Sequence, residues 1–168
     1  MQEEKLDEVV CEKLKLNGDQ NIDLSKWKNF LKNLNDPKQT IEIGLIGKYV
    51  ELKDSYISIA ESLIHSGAHN QTKINLNWIH SSKIEENSSK EILGKMDGII
   101  VAPGFGERAI EGKIMAVKYA RENKIPFLGI CLGMQCAVVE FARNVLSMNN
   151  ANSTEINSNT PYPVISMM

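Results

Sequence analysis

The chain has 168 residues, 42% of them hydrophobic and 24% charged, which is enough for one domain with a sizeable core. Its formal net charge of −2 gives no electrostatic basis for binding nucleic acid or an anionic membrane, and its apolar runs are too short to span a bilayer. The three cysteines, Cys11, Cys131 and Cys136, lack the spacing of a disulfide framework or a zinc site. Together with a polar N-terminus unlike a signal peptide, they indicate a cytoplasmic protein.

Residues 1–39 are predicted to form a helical segment that differs from the rest of the chain. Apolar residues at helical spacing indicate one helix between Leu6 and Leu14 and a second between Leu24 and Leu34. The Asp-Pro pair that follows ends the second helix. Two helices cannot enclose a core without a partner layer, so we expect this segment to pack on another part of the protein.

Strands alternate with helices from residue 40 onward. Apolar or alternating segments predict four strands, and helical periodicity predicts the helices that follow them. This order predicts an α/β fold with an open, mostly parallel sheet and helices on both faces. The predicted strands are residues 41–46, 73–79, 98–102 and 127–130, and the predicted helices are residues 56–64, 110–123 and 134–141.

Three finer expectations follow from local composition. The alternation of apolar and polar residues in 73–79 places that strand at an exposed face or a sheet edge. Gly67 is expected to interrupt the first helix after residue 40, which leaves the histidines on either side of it on the surface. Residues 81–89 are polar and are expected to form a loop, and the chain from Ser147 onward is expected to add no closing element.

The segment Gly129-Ile130-Cys131-Leu132-Gly133 carries the strongest functional signal in the chain. Cys131 follows a short apolar strand and precedes a helix, so its side chain would project from a sharp strand-to-helix turn. The flanking glycines leave room for such a turn, and the helix directs its N-terminal N–H groups toward the sulfur. A buried structural cysteine is the alternative, but the Gly-x-Cys-x-Gly frame favours a nucleophile.

A second loop, residues 102–108, follows the third predicted strand and is rich in glycine and proline. An ordinary strand–helix turn is one interpretation of such a loop. Beside a nucleophilic cysteine, one N–H group of the loop and that of Leu132 would together hold an oxyanion, with Phe105 as a wall of the pocket. Pro103 has no N–H group, so Gly104 is the expected donor.

These motifs resemble the CTP synthase family, whose ammonia-supplying part is a class I, triad-type glutamine amidotransferase. The resemblance implies that residues 1–39 are a helical interdomain tail or linker. It implies that residues 40–168 are the N-terminal half of a glutamine amidotransferase domain, incomplete at the C-terminus. The matching stretches are residues 5–36, 47–56, 105–108, 111–113, 129–135, 140–145 and 151–155, so that the likeness covers essentially the whole chain.

The resemblance also implies a role for each matching site residue. Cys131 corresponds to the catalytic thiol that attacks the carboxamide of glutamine, and the N–H of Leu132 to one that helps to hold the oxyanion. Phe105 and Arg108 match a region associated with activation by GTP, and no metal site is implied. The positions that match glutamine-binding residues are Gly104, Leu132, Gly133, Met134, Gln135 and Glu155.

For the whole protein, the resemblance implies a cytoplasmic ligase that makes CTP from UTP, ATP and glutamine. No cofactor is expected in this chain; ATP and Mg²⁺ would bind a synthase domain, GTP would be an activator, and the full-length protein would be a homotetramer. The family's catalytic His and Glu are expected beyond residue 168, because the three histidines, His65, His69 and His80, all precede Cys131. The chain alone is therefore expected to be catalytically incomplete.

Two alternatives share much of this sequence pattern. A non-catalytic amidotransferase-like interaction module would keep the fold and dock on a synthase partner. An amidotransferase that serves a different acceptor is less compatible with residues 107–113, which match the CTP synthase family closely.

Overall fold

A computed structural model of the chain describes residues 4–16, 23–105 and 109–166. Short 3₁₀ turns cover Lys53–Tyr56 and Ser81–Lys83. The helices in the described residues are α1 (Leu6–Leu14), α2 (Ser25–Asn35), α3 (Ile57–His69), α4 (Ser89–Leu93), α5 (Ile110–Glu122) and α6 (Leu132–Asn144). The strands are β1 (Gln39–Gly47), β2 (Thr72–His80), β3 (Gly98–Val101), β4 (Phe127–Gly129), β5 (Ala151–Ser153) and β6 (Tyr162–Ile165).

The main sheet contains four parallel strands in the order β2-β1-β3-β4. Strand β1 is central and pairs with β2 along its whole length, from Gln39 opposite Thr72 to Gly47 opposite His80. The predicted parallel sheet is confirmed, and so is the edge position of β2. Because the strands are parallel, their C-terminal ends lie along one edge, which is where ligands bind in open α/β sheets.

Helices cover both faces of the sheet because side chains alternate along each strand. Leu45 and Ile100 point to one face, where they pack with Tyr56 and side chains of α3. Ile46 and Val101 point to the opposite face, which is covered by α4, α5 and α6. No helix among the described residues is both long and apolar enough to cross a membrane.

The two N-terminal helices form as predicted and lie outside this core, since no residue of α1 or α2 is buried. Helix α2 contacts α3 through Phe30, whose ring meets His65 edge-on with 5.4 Å between ring centroids. Trp27 stacks on Phe30 at a centroid distance of 5.3 Å. The segment therefore docks on one helix of the α/β layer through a small aromatic contact.

The expected interruption of α3 at Gly67 is wrong. The helix continues to His69, and Gly67 is one of its two buried residues. A Cβ atom at Gly67 would lie 2.6 Å from the carbonyl oxygen of Thr72. The glycine is needed for the close approach of α3 to β2, and its effect on helix propensity is outweighed by that contact.

The two segments expected to be irregular contain regular structure. Residues 81–89 include the second 3₁₀ turn and the first residue of α4. After residue 147, β5 and β6 form a separate parallel pair. Ile156 and Val164 from this region pack in the core with side chains of α5 and α6. Polar residues surround both of them in the sequence, so these apolar contacts could not be predicted from it.

An ion pair between a buried carboxylate and a solvent-accessible arginine joins α5 to α6. Glu140 is 1% exposed, and its carboxylate accepts hydrogen bonds from Arg121 Nε at 3.0 and 3.1 Å and from Arg121 Nη2 at 2.8 Å. Asn144 Nδ2 donates to the same carboxylate at 3.1 Å. These bonds with Glu140 raise the pKa of Arg121 above its ordinary value.

We predict that Arg121→Met lowers the free energy of unfolding by about 3–5 kcal/mol, because it leaves the Glu140 carboxylate buried without its cation. The control is Lys118→Met on the same helix, which breaks an ion pair to the exposed Glu86. We expect that variant to lose about 1 kcal/mol or less. Urea titration followed by circular dichroism measures both, and equal losses would contradict the prediction.

Candidate active site

Cys131 lies in the turn between β4 and α6, at the C-terminal edge of the sheet. Its backbone angles, φ 53° and ψ −109°, fall in a region that residues with a side chain rarely adopt. Such a conformation costs about 1–3 kcal/mol and persists only when the surrounding structure enforces it. The Cys131 side chain is exposed, so the predicted strand-to-helix turn is confirmed and it presents the thiol to solvent.

The two glycines that flank Cys131 are required by close packing. A Cβ atom at Gly129 would lie 2.6 Å from the carbonyl group of Gly133, and one at Gly133 would lie 2.1 Å from the carbonyl oxygen of Val101. Neither position leaves room for a side chain. The glycines let α6 begin directly against β3 and β4, and that approach fixes the strained turn between them.

The backbone N–H of Leu132 lies beside the thiol at the start of α6. Helix geometry gives this first N–H group no intrahelical partner. The next two N–H groups are occupied, because Gly133 donates to the Ile130 carbonyl at 2.9 Å and Met134 to that of Cys131 at 3.0 Å. The Leu132 N–H is therefore suited to receive an anionic oxygen.

The loop after β3 lies next to this turn. A Cβ atom built on Gly104 would be 3.7 Å from Leu132 Cδ2, and the Phe105 side chain is 75% exposed. The structure thus brings the Gly104 loop and the start of α6 to the same end of the sheet. Arg108, which was expected at this loop, lies outside the described residues, as do Gly106 and Glu107.

Side chains from three other segments hold the carbonyl groups of this loop. They come from the end of β1, from the 3₁₀ turn before α3, and from α5. Each contacts the carbonyl oxygen of a different loop residue, and the contact of Tyr56 is longer than an ordinary O–H···O hydrogen bond. The bonds are Lys48 Nζ to Phe105 O, Tyr56 Oη to Pro103 O at 3.5 Å, and Lys113 Nζ to Ala102 O at 2.7 Å.

The orientation of the Gly104 N–H follows from the bond to Tyr56. The described chain contains no cis peptide bond, and a trans peptide group points its N–H opposite to its C=O. Since the Pro103 carbonyl faces the Tyr56 hydroxyl, the N–H of Gly104 points to the other side of the loop, away from α3. That orientation supports Gly104 as the loop's N–H donor to the oxyanion, since Pro103 has no N–H group.

Gln135 and Glu155, two of the expected glutamine-binding residues, are in contact. Gln135 Nε2 donates to Glu155 Oε2 at 2.9 Å, while the buried Gln135 Oε1 has no hydrogen-bond partner among the described residues. The backbone N–H of Glu155 donates to Ser153 Oγ at 3.3 Å, which positions the exposed carboxylate. Met134, by contrast, is 53% exposed on the outer side of α6.

Lys113 is the most informative residue that the sequence reasoning missed as part of the site. It is 1% exposed, and burial lowers the pKa of its ammonium below the ordinary value. The available signal was its position in an otherwise apolar helical stripe with Ile110, Ile114 and Val117. A charged residue in such a stripe indicates a buried polar contact.

A family model described as "Glutamine amidotransferase class-I" matches residues 51–162. The chain belongs to this family. Among solved amidotransferases, the structure is similar to the glutaminase domain of Trypanosoma brucei CTPS with bound acivicin, with a TM-score of 0.71 and 36% identity. That match covers 76% of this chain and 50% of the solved chain, and it confirms the α/β fold with a parallel sheet.

Curated amidotransferase relatives extend the likeness to the whole chain. The CTP synthase of Cytophaga hutchinsonii is 57% identical over 168 residues, and that of Methanocaldococcus jannaschii is 52% identical over 174 aligned positions. Both alignments cover 100% of this chain. The chain spans about a third of the length of these relatives, 31% and 32% respectively.

We predict that Gly133→Ala destabilises the fold by about 1–3 kcal/mol, because the new methyl group meets the backbone of Val101 and α6 must move away from β3. The matched control is Gly44→Ala on β1, where the nearest atoms to a new Cβ belong to the side chains of Ile79 and Met96, at 3.3 Å each, and not to backbone. Urea titration of the two variants tests this. A Gly44→Ala loss as large as that of Gly133→Ala would contradict it.

A pH-dependent contribution to stability is predicted for Cys136. Burial raises the pKa of its thiol from the ordinary value of 9.0 to about 11. Between these values the unfolded chain loses the proton first, so the folded state binds more protons and the free energy of unfolding falls as pH rises. We expect Cys136 to contribute about 2–3 kcal/mol of this loss.

The measurement is urea titration at intervals between pH 8 and about pH 11, spanning the ordinary range of the thiol. Cys136→Ala should lose less stability across this range than the unmodified chain. Cys11→Ala is the control, because Cys11 lies on α1 outside the core and should leave the pH dependence unchanged. Parallel curves for Cys136→Ala and the unmodified chain would show that the thiol makes no such contribution.

Proposed function

We propose that this chain is the ammonia-supplying glutaminase part of a CTP synthase. The observation that carries the proposal is the Cys131 turn, in which an exposed thiol adjoins the N–H of Leu132 in a strained strand-to-helix junction. Membership of the amidotransferase family supports glutamine as the nitrogen donor. The 57% identity with a CTP synthase along the whole chain supports UTP as the eventual acceptor.

The proposed reaction begins when Cys131 Sγ attacks the carboxamide carbon of glutamine. The carbonyl oxygen becomes an oxyanion that the N–H groups of Leu132 and Gly104 stabilise. Collapse of this intermediate breaks the C–N bond and releases ammonia once the nitrogen is protonated, which leaves a γ-glutamyl thioester on Cys131. Water then hydrolyses the thioester to glutamate and restores the thiol.

Substrate binding is assigned to the surface between α6 and β5. Glu155 presents an exposed carboxylate, held by Gln135, that would pair with the α-ammonium of glutamine. Gly133 and Met134 contribute backbone at the start of α6, beside the thiol. Phe105 and Arg108 are assigned to the GTP-responsive region of the loop.

None of the three histidines lies where it could act as the general base for Cys131. We therefore assign the base to another part of the protein. His80 is at the C-terminal end of β2, three strand positions from β4 and thus about 14 Å away across the sheet. Its Nδ1 is 2.6 Å from Ser82 Oγ. His65 and His69 are on α3, on the opposite face from α6. We therefore infer that the chain alone is catalytically incomplete.

In the full-length protein we assign residues 1–39 to the linker that joins the glutaminase part to a synthase domain. The exposed apolar side chains of α1 and α2, such as Leu14 and Trp27, support contact with another domain. ATP and Mg²⁺ would bind that synthase domain, with GTP as the activator. We further propose a cytoplasmic homotetramer, as the resemblance implies.

We predict that Cys131→Ala in the full-length protein abolishes glutamine-dependent CTP formation and leaves ammonium-dependent formation unchanged, because only the release of ammonia needs the thiol. Gly104→Pro should have the same selective effect by removing an oxyanion donor, with kcat for glutamine lowered about 100- to 1,000-fold. Cys136→Ala is the control for the loss of a thiol outside the proposed site. CTP and ammonia are measured in parallel for every variant.

Glutamine hydrolysis by residues 1–168 alone should stay near the background of the Cys131→Ala variant, since the base is missing. Full activity of a Cys131→Ala enzyme with glutamine would refute the nucleophile assignment. Absence of glutamine hydrolysis by the unmodified full-length protein would instead favour the non-catalytic interaction module. Ammonia transfer to an acceptor other than UTP would overturn the CTP synthase assignment.

A further inference from the structure

Lys113 stands out as a buried cation without an anionic partner. Its side chain is the largest of the fully buried ones, at 1% exposed, and it forms no salt bridge in the described part of the chain. Its one hydrogen-bond acceptor there is the carbonyl oxygen of Ala102, at 2.7 Å. Burial of an ammonium group against a neutral acceptor is costly, so the position calls for a functional explanation.

Part of the surroundings of Lys113 belongs to the candidate active site. A Cβ atom built on Gly104 would lie 3.4 Å from Lys113 Nζ. The charged or titratable groups that face it are Lys48 at the end of β1, Cys131 in the turn and Cys136 on α6. Helix α5 therefore places the ammonium group of Lys113 against the loop that contains Gly104.

The contact with Ala102 has a particular effect on this loop. The peptide group between Ala102 and Pro103 has no N–H, so its carbonyl oxygen is the one polar atom by which its orientation can be fixed. Lys113 fixes that oxygen, and Tyr56 contacts the next carbonyl along the chain. Lys113 therefore restrains the peptide group next to the one that carries the Gly104 N–H.

We propose that Lys113 is a positioning residue for glutamine hydrolysis, which holds the Ala102 carbonyl so that the Gly104 N–H faces the oxyanion formed at Cys131. The proposal rests on the proposed function of the Cys131 site. Lys113 acts through the loop and does not contact the substrate. Its removal should therefore slow the acyl chemistry and spare both substrate binding and the thiol itself.

The test compares Lys113→Met with Lys118→Met in the full-length protein. Methionine keeps the length and apolar stem of Lys113 but removes the donor, and Lys118 is a surface lysine of the same helix paired with Glu86. Ammonia release from glutamine gives kcat and KM. A separate measurement follows alkylation of Cys131 by iodoacetamide, since displacement at its sp³ carbon forms no oxyanion.

For Lys113→Met we expect kcat to fall about 100-fold, as a misplaced oxyanion donor would cause. KM for glutamine and the alkylation rate of Cys131 should change by no more than about threefold, because neither depends on that donor. Lys118→Met should retain kcat within about twofold. This pattern would support the positioning role.

Two results would overturn the proposal. A kcat for Lys113→Met within about threefold of the unmodified enzyme would show that the contact with Ala102 has no role in catalysis. A parallel loss of kcat and of the alkylation rate would show that Lys113 acts on the turn or on the thiolate of Cys131, and not on the oxyanion donor. If Lys113→Met does not fold, Ala102→Gly, which loosens the same peptide group and keeps the lysine, must show the selective loss of kcat.

Ammonia release by the unmodified enzyme is measured first, so that the proposed function is tested independently. Its absence would overturn the proposed function together with this inference. A normal unmodified rate combined with either contrary result above would remove the role of Lys113 alone.

Discussion

The contact between Gly133 and the carbonyl of Val101 is the constraint on which the candidate site depends. It allows the first turn of α6 to rest against the backbone of β3 with no side chain between them. The chain must then pass from β4 into α6 over two residues, and Cys131 takes up the positive φ that this path requires. The position of the thiol is thus a result of backbone packing, and the neighbouring Leu132 N–H is placed by the same contact.

Helix α5 connects the two halves of the site. It carries Lys113, which contacts the loop after β3, and it is joined to α6 by the bond from Arg121 to the buried Glu140 carboxylate. A second bridge joins Glu111 on α5 to Arg143 on α6, with Nη1–Oε distances of 3.0 and 3.1 Å. Both ion pairs therefore join the helix that carries Lys113 to the helix that begins next to Cys131.

The sequence predicted the features that depend on local pattern. The four sheet strands follow from apolar runs or, for β2, from alternating apolar and polar residues. The Cys131 turn follows from a strand–glycine–helix order that leaves few other conformations. Features that depend on contacts between distant parts of the chain could not be predicted from the sequence. Gly67 looked like a helix break because its neighbour Thr72 is brought to it by β2, and β5 and β6 looked irregular because their support comes from α6. The apolar stripe indicated that Lys113 is buried, but its contact with the loop could not be predicted because the acceptor is a backbone carbonyl, which carries no sequence signal.

The short strand β4 lies at one edge of the main sheet. It pairs with β3 on one side, and its other side is unpaired within residues 4–16, 23–105 and 109–166. Leu128 on this edge and Phe141 on α6 are 55% and 48% exposed. An open strand edge beside apolar side chains is a template for strand addition by another molecule. Because β4 is only three residues long, this edge offers few backbone groups, and the exposed apolar side chains beside it are the larger contact surface on the nucleophile-bearing flank of the sheet.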